Sequence, residues 1–127
     1  MKLATYLHQN LQRVGLVSDD NQSIAGLQLT DAEHALGVLS LVNRAHKAQA
    51  FPAIDSNHLP LDQVTLMAPI PQPRRNIFCV GRNYHAHAQE LSSSVFKDAN
   101  ADPNAWPIVF TKVPECVTGP YNTVHLP

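Results

Sequence analysis

Proline stands at alternate positions in Pro69-Ile70-Pro71-Gln72-Pro73. Each ring fixes φ near about −65° and pushes the preceding residue toward extended backbone, so neither a helix nor a central strand runs through this stretch. It is a stiff connector. It divides the chain into residues 1–68, a connector at 69–75, and residues 76–127.

Before the connector the pattern is that of a β-meander closed by a helix. Lys2 to His8 alternates, with Leu3, Thr5 and Leu7 on one face. Gln12–Val17 and Ser23–Leu29 read as two further strands, separated by the turn cluster Ser18-Asp19-Asp20-Asn21. Thr30-Asp31-Ala32-Glu33 has the form of a capping box, in which hydroxyl and carboxylate each accept from the other residue's amide. Ala32, Leu36, Leu39, Val42 and Ala45 follow at helical spacing and predict one helix over 31–48, ended before Phe51-Pro52. The polar residues from Ala53 to Leu61 predict a surface loop, and Val64–Met67 a short strand.

After the connector, Asn76-Ile77-Phe78-Cys79-Val80-Gly81 and Pro107-Ile108-Val109-Phe110-Thr111-Lys112 are apolar runs typical of buried strands. A short helix is expected over Asn83–Leu91, and Ser92–Trp106 is polar. Gly119-Pro120 marks a turn. Roughly 50 residues with so few elements make a poor core. The chain ends at His125-Leu126-Pro127 without a closing element, which suggests a truncated polypeptide.

Composition narrows the function classes. Hydrophobic residues make up 44% and charged residues 15%, which fits a packed globular protein. Nine Lys+Arg against ten Asp+Glu leave no basic surplus for phosphates, so no nucleic-acid partner is expected. No apolar run approaches a membrane span, and the start lacks the apolar region of a secretory signal. Two cysteines, Cys79 and Cys116, suit free thiols in a reducing cytoplasm, with Cys79 a buried inert thiol.

The seven histidines do not make a zinc site, because His85-x-His87 lacks partner ligands at metal spacing. His8, His34, His46 and His58 sit among polar neighbours and read as solvated. Val80-Gly81-Arg82-Asn83-Tyr84 has the strand–glycine–helix shape of a phosphate turn, but with one glycine where a dinucleotide site uses three. His87 and Glu90 are three apart, which on a helix puts a carboxylate beside an imidazole. That pairing is a recipe for a general base near neutral pH, but by spacing alone an ordinary surface pair is the better reading.

The run Asn76-Ile77-Phe78-Cys79-Val80-Gly81-Arg82-Asn83-Tyr84-His85-Ala86-His87-Ala88-Gln89-Glu90 resembles the opening of the catalytic domain in the fumarylacetoacetate hydrolase family, an apolar strand followed by Gly-x-Asn-Tyr-x-x-His-x-x-Glu. Pro107–Lys112, Val117-Thr118-Gly119-Pro120 and Leu126-Pro127 are similar to the family's next segment, and residues before the connector to its small N-terminal domain.

This resemblance implies an α+β fold: a small β-rich N-terminal domain with one helix, then the first strands of a mixed β-roll. It further implies a Mg²⁺- or Mn²⁺-dependent enzyme cleaving C–C bonds in 2-oxo or 1,3-dicarbonyl acids, with decarboxylase, isomerase and lyase relatives, and a homodimer. By the same resemblance His87 activates water, Glu90 orients it and Lys112 supplies positive charge. Arg82, Asn83 and Tyr84 fall at the substrate, Arg82 toward a carboxylate. The segment from Tyr84 to Trp106 is expected to close as a lid.

The family's metal ligands are a Glu-x-Glu pair and a later Asp. This chain has Glu33, Glu90 and Glu115 and no Glu-x-Glu, so it is expected to hold no metal and to be inactive alone. The contrasting reading is a non-catalytic binding or oligomerisation module.

Overall fold

The period-two pattern of the first 27 residues is realised as three consecutive antiparallel strands. These are β1 (Lys2–His8), β2 (Leu11–Val17) and β3 (Ser23–Leu27). They appear in a computed structural model that describes residues 1–81 and 108–124. A two-residue reversal at Gln9 and Asn10, both at positive φ, sets the register Lys2↔Val17 through His8↔Leu11. β4 (Ile54–Pro60) and β5 (Thr65–Leu66) extend the sheet on either side, giving the order β4-β3-β2-β1-β5.

β4 corrects the surface loop expected over 53–61. Its residues Asp55, Ser56, Asn57 and His58 are polar because it is an edge strand, paired to β3 alone, and Pro60 stands at its end.

The single helix expected over 31–48 is two, α1 (Asp31–Ala35) and α2 (Leu39–His46). The capping box at the start of α1 is present, with Glu33 N–H donating to Thr30 Oγ1 and Thr30 N–H to Glu33 Oε2 at 3.0 Å. Gly37 breaks the helix at φ +63°. A Cβ there would stand 2.7 Å from Pro69 O, Pro71 Cδ and Thr5 Oγ1, so the bend seats backbone where no side chain fits. Buried Thr5 completes the junction, donating to Pro69 O at 2.7 Å and accepting from Val38 N–H at 3.1 Å.

The bend turns α2 onto the sheet. Val14 and Leu27 meet Leu41, with Leu3, Leu29 and Val38 packed around them. Each fully buried aliphatic side chain contributes about 1.5–3 kcal/mol. The architecture is α+β and sheet-rich.

The chain forms two compact units: Met1–Pro73 with Val117–Pro127, and Arg74–Cys116. In the first, Gly119 lies against backbone at Leu66 and Met67. In the second, β6 (Ile77–Gly81) and β7 (Ile108–Lys112) form an antiparallel ribbon, followed by a 3-10 turn at Pro114–Cys116. Among the described residues no helix is long and apolar enough to cross a membrane.

Candidate functional site

The ribbon fixes where the Gly81-to-Glu90 pattern leaves the sheet. Gly81, the last residue of β6, is the ladder partner of Ile108, the first of β7. Gly81 and Ile108, which flank residues 82–107 in the sequence, thus stand together at one end of the ribbon. Lys112 is paired with Ile77 at the opposite end, four residues along β7, or about 14 Å at about 3.4 Å per residue. It is exposed. By alternation it shares a face with Ile108 and Phe110 of its own strand and with Ile77 and Cys79 of β6.

Of the six residues singled out in the sequence, Lys112 is therefore placed at the far end of the ribbon. His87, Glu90, Arg82, Asn83 and Tyr84 lie outside the described residues, as do the helix expected over 83–91 and the segment expected to close as a lid.

Among the described residues the carboxylates do not converge on a hard-cation site. Glu33 is committed to the cap of α1 and to Arg44, whose Nη1 is 2.7 Å from its Oε1. The Thr30 backbone N–H and then Arg44 hold the Glu33 carboxyl at about 2. Glu115 is exposed in the 3-10 turn. Among the described residues no three His, Cys, Asp or Glu side chains cluster as metal ligands. These residues do not fit Mg²⁺ or Mn²⁺, which needs several oxygens together.

His34, expected to be solvated, is buried, because its Nδ1 accepts from Val14 N–H at 3.1 Å. Burial first, then Arg13, lowers its pKa below the ordinary 6.5. His46 and His58 are exposed, as expected. Cys79 is half-buried rather than buried, and Cys116 is exposed; neither is paired. The two-stranded ribbon leaves Cys79 without a covering layer among the described residues.

Sequence spacing does not disclose a concavity in the first unit. A groove of about 730 Å³ in the first unit is lined by residues including Tyr6, Arg13, Gly26, His34 and Asp55. Tyr6 and Arg13 are opposite one another across β1 and β2, and Gly15 is opposite Gly26 across β2 and β3. A Cβ on Gly26 would lie 2.5 Å from Asp55 Oδ2 and 3.4 Å from the Tyr6 hydroxyl. Burial, then the Asp55 charge, raises the Tyr6 pKa above its ordinary 10.0. The signal available in the sequence was the pair of glycines inside alternating strands, where a side chain is normally favoured.

Comparison with known proteins bears on the ribbon. Residues 76–127 match the model of the fumarylacetoacetate (FAA) hydrolase C-terminal domain. Oxaloacetate tautomerase YisK of Bacillus subtilis (strain 168) is 35% identical over 139 residues, covering 94% of this chain and 43% of that protein. The mitochondrial oxaloacetate tautomerase Fahd2a of Rattus norvegicus is 38% identical over 89 residues, covering 70% of this chain and 24% of its own length. The chain thus spans less than half the length of these relatives. A solved fumarylacetoacetate hydrolase from psychrophilic Exiguobacterium antarcticum superposes with a TM-score of 0.61 at 23% identity, over 93% of this chain and 37% of that one, a likeness of fold. With its C-terminal residues matching the family's domain, its relatives aligned across the connector and its strands laid out as in a solved member, the chain belongs to the fumarylacetoacetate hydrolase family.

Proposed function

We propose that this chain contributes the proton-transfer groups of an enzyme acting on a 2-oxo dicarboxylic acid of the oxaloacetate class, and that the reaction is keto–enol tautomerisation. The observation that carries the reading is the match to an oxaloacetate tautomerase over 94% of this chain. It replaces C–C hydrolysis, implied by the motif resemblance, as the leading reading.

The chemistry asked of the residues is modest. The methylene between two carbonyl groups is acidic, and tautomerisation moves one of its protons to the adjacent carbonyl oxygen. His87, as a neutral imidazole, takes that proton and gives it back at oxygen. Glu90, three residues on, orients the ring. Lys112 offers a positive charge to the developing enolate oxygen, and Arg82 engages a substrate carboxylate, with Asn83 and Tyr84 beside it. Hydrolysis would use the same base on a water molecule, so the two readings differ in what stands next to His87.

A divalent cation, Mg²⁺ or Mn²⁺, belongs to this proposal for the protein extended to its relatives' length, with ligands outside the described residues. A homodimer and a reducing compartment belong to it too, the second supported by two unpaired thiols.

The test is a pair of assays on the chain extended to the length of its relatives. Oxaloacetate ketonisation, followed by loss of enol absorbance, is expected to be accelerated, and His87→Ala to lower kcat by about 10²–10⁴-fold. Cleavage of an acylpyruvate at a comparable kcat/KM, with no effect on ketonisation, would return the assignment to hydrolysis. Wild-type ketonisation rates in His87→Ala would remove the base from the mechanism.

A further inference from the structure

We propose that the groove of the first unit binds a small α-amino acid, with the ammonium group between Asp55 and Tyr6 and the carboxylate toward Arg13 and His34. This site is independent of the function proposed above.

Two oxygen atoms converge on one small space. Both Asp55 Oδ2 and the Tyr6 hydroxyl lie within 3.5 Å of the point where a Gly26 side chain would begin. With no Cβ on Gly26, the Asp55 carboxylate closes onto the backbone there, beside the Tyr6 hydroxyl. Asp55 forms no ion pair or hydrogen bond among the described residues, and its carboxylate lines the groove without a protein partner there. Tyr6 is 3% exposed and its hydroxyl has no partner there either. Because among the described residues no enclosed side-chain nitrogen or oxygen lacks a partner, the hydroxyl reaches the accessible space of the groove. A nearly buried phenol beside a carboxylate selects a hydrogen-bond donor carrying positive charge. A bare divalent ion is a poor occupant, since two protein oxygens are too few to hold it.

The opposite polarity stands next to this pair. Arg13 is the cross-strand partner of Tyr6, on the same face. Its only ion pair among the described residues is a long one, 3.4 Å to Asp31, whose side chain is 99% exposed. Most of its donors are therefore available. His34 accepts at Nδ1 from Val14, which assigns its proton to Nε2, a second donor. A carboxylate satisfies both. An ammonium and a carboxylate on one small molecule describe an α-amino acid.

Calorimetry on the 127-residue chain tests this with pairs of probes that differ only in the α-ammonium: glycine against acetate, L-alanine against propionate, L-aspartate against succinate. Binding is expected for at least one amino acid and for none of the three deaminated acids. Asp55→Asn is expected to weaken it at least tenfold, and Tyr6→Phe severalfold, with thermal unfolding showing both variants folded. If Tyr6→Phe does not fold, Asp55→Asn decides alone. Absence of binding at concentrations on the order of 10 mM, equal binding of an amino acid and its deaminated partner, or unchanged affinity in Asp55→Asn each overturns the proposal.

Discussion

The bond from Val14 N–H to His34 Nδ1 exists only while the imidazole is neutral. Its folded pKa lies below 6.5, through burial and the Arg13 charge, against the opposing pull of Asp31, Glu33 and Asp55. The unfolded chain therefore binds the proton first. Stability is complete above about pH 6.5 and falls as pH drops through the folded value. Urea midpoints between about pH 7.5 and 5 are expected to decline, and His34→Gln to flatten that decline. Glu33 acts in a separate window, with stability present above its ordinary 4.5 and lost as pH falls toward about 2. Thr30→Ala, which removes the hydroxyl end of the same cap, is expected to cost about 1 kcal/mol in the same measurement. The two residues also mark what a sequence discloses. Thr30 and Glu33 are three apart, so their cap was legible. His34 was not, because its partner comes from a strand 20 residues earlier.

Elements follow the same division between local and distant causes. The meander was legible because alternation is a property of each strand by itself. The break between α1 and α2 was not, since Leu36, Leu39 and Val42 keep helical spacing straight through Gly37. What imposes the break is Pro69, Pro71 and Thr5, which close on Gly37 from other parts of the chain. β4 is hidden in the sequence for a related reason. An edge strand with one partner needs little apolar character, and its pairing to β3 is invisible in its own residues. Gly37→Ala tests the account of the bend. Left-handed strain of about 1–2 kcal/mol and crowding of about 1–3 kcal/mol make it destabilising by about 3 kcal/mol, read as a lower urea midpoint. The preceding residue is the control. Leu36, at φ −79°, carries no such backbone demand, so Leu36→Ala is expected to lower the midpoint less.

At the scale of the whole molecule the two units are unequal. The first has a five-stranded sheet, two helices and a buried core. The second, among its described residues, has a two-stranded ribbon whose Phe78 is 73% and Val109 61% exposed. An isolated two-stranded ribbon is marginal in water. Yet the sequences of β6 and β7 are apolar on both faces, the signature of strands meant to be covered on both sides. That mismatch was legible from Asn76–Gly81 and Ile108–Lys112, whereas what meets Lys112 was not, because register places it but does not supply its neighbours. Amide hydrogen exchange distinguishes the two units. In the 127-residue chain, β1, β2 and β3 are expected to exchange by global opening, and β6 and β7 about 10²-fold faster or more, through local opening. In the protein extended to its relatives' length, β6 and β7 are expected to reach the protection of the first unit, while β1 to β3 change little. Equal protection of the ribbon in the short and the extended protein would mean that the hairpin holds itself together, and that its apolar faces are not the docking surface of a larger catalytic sheet.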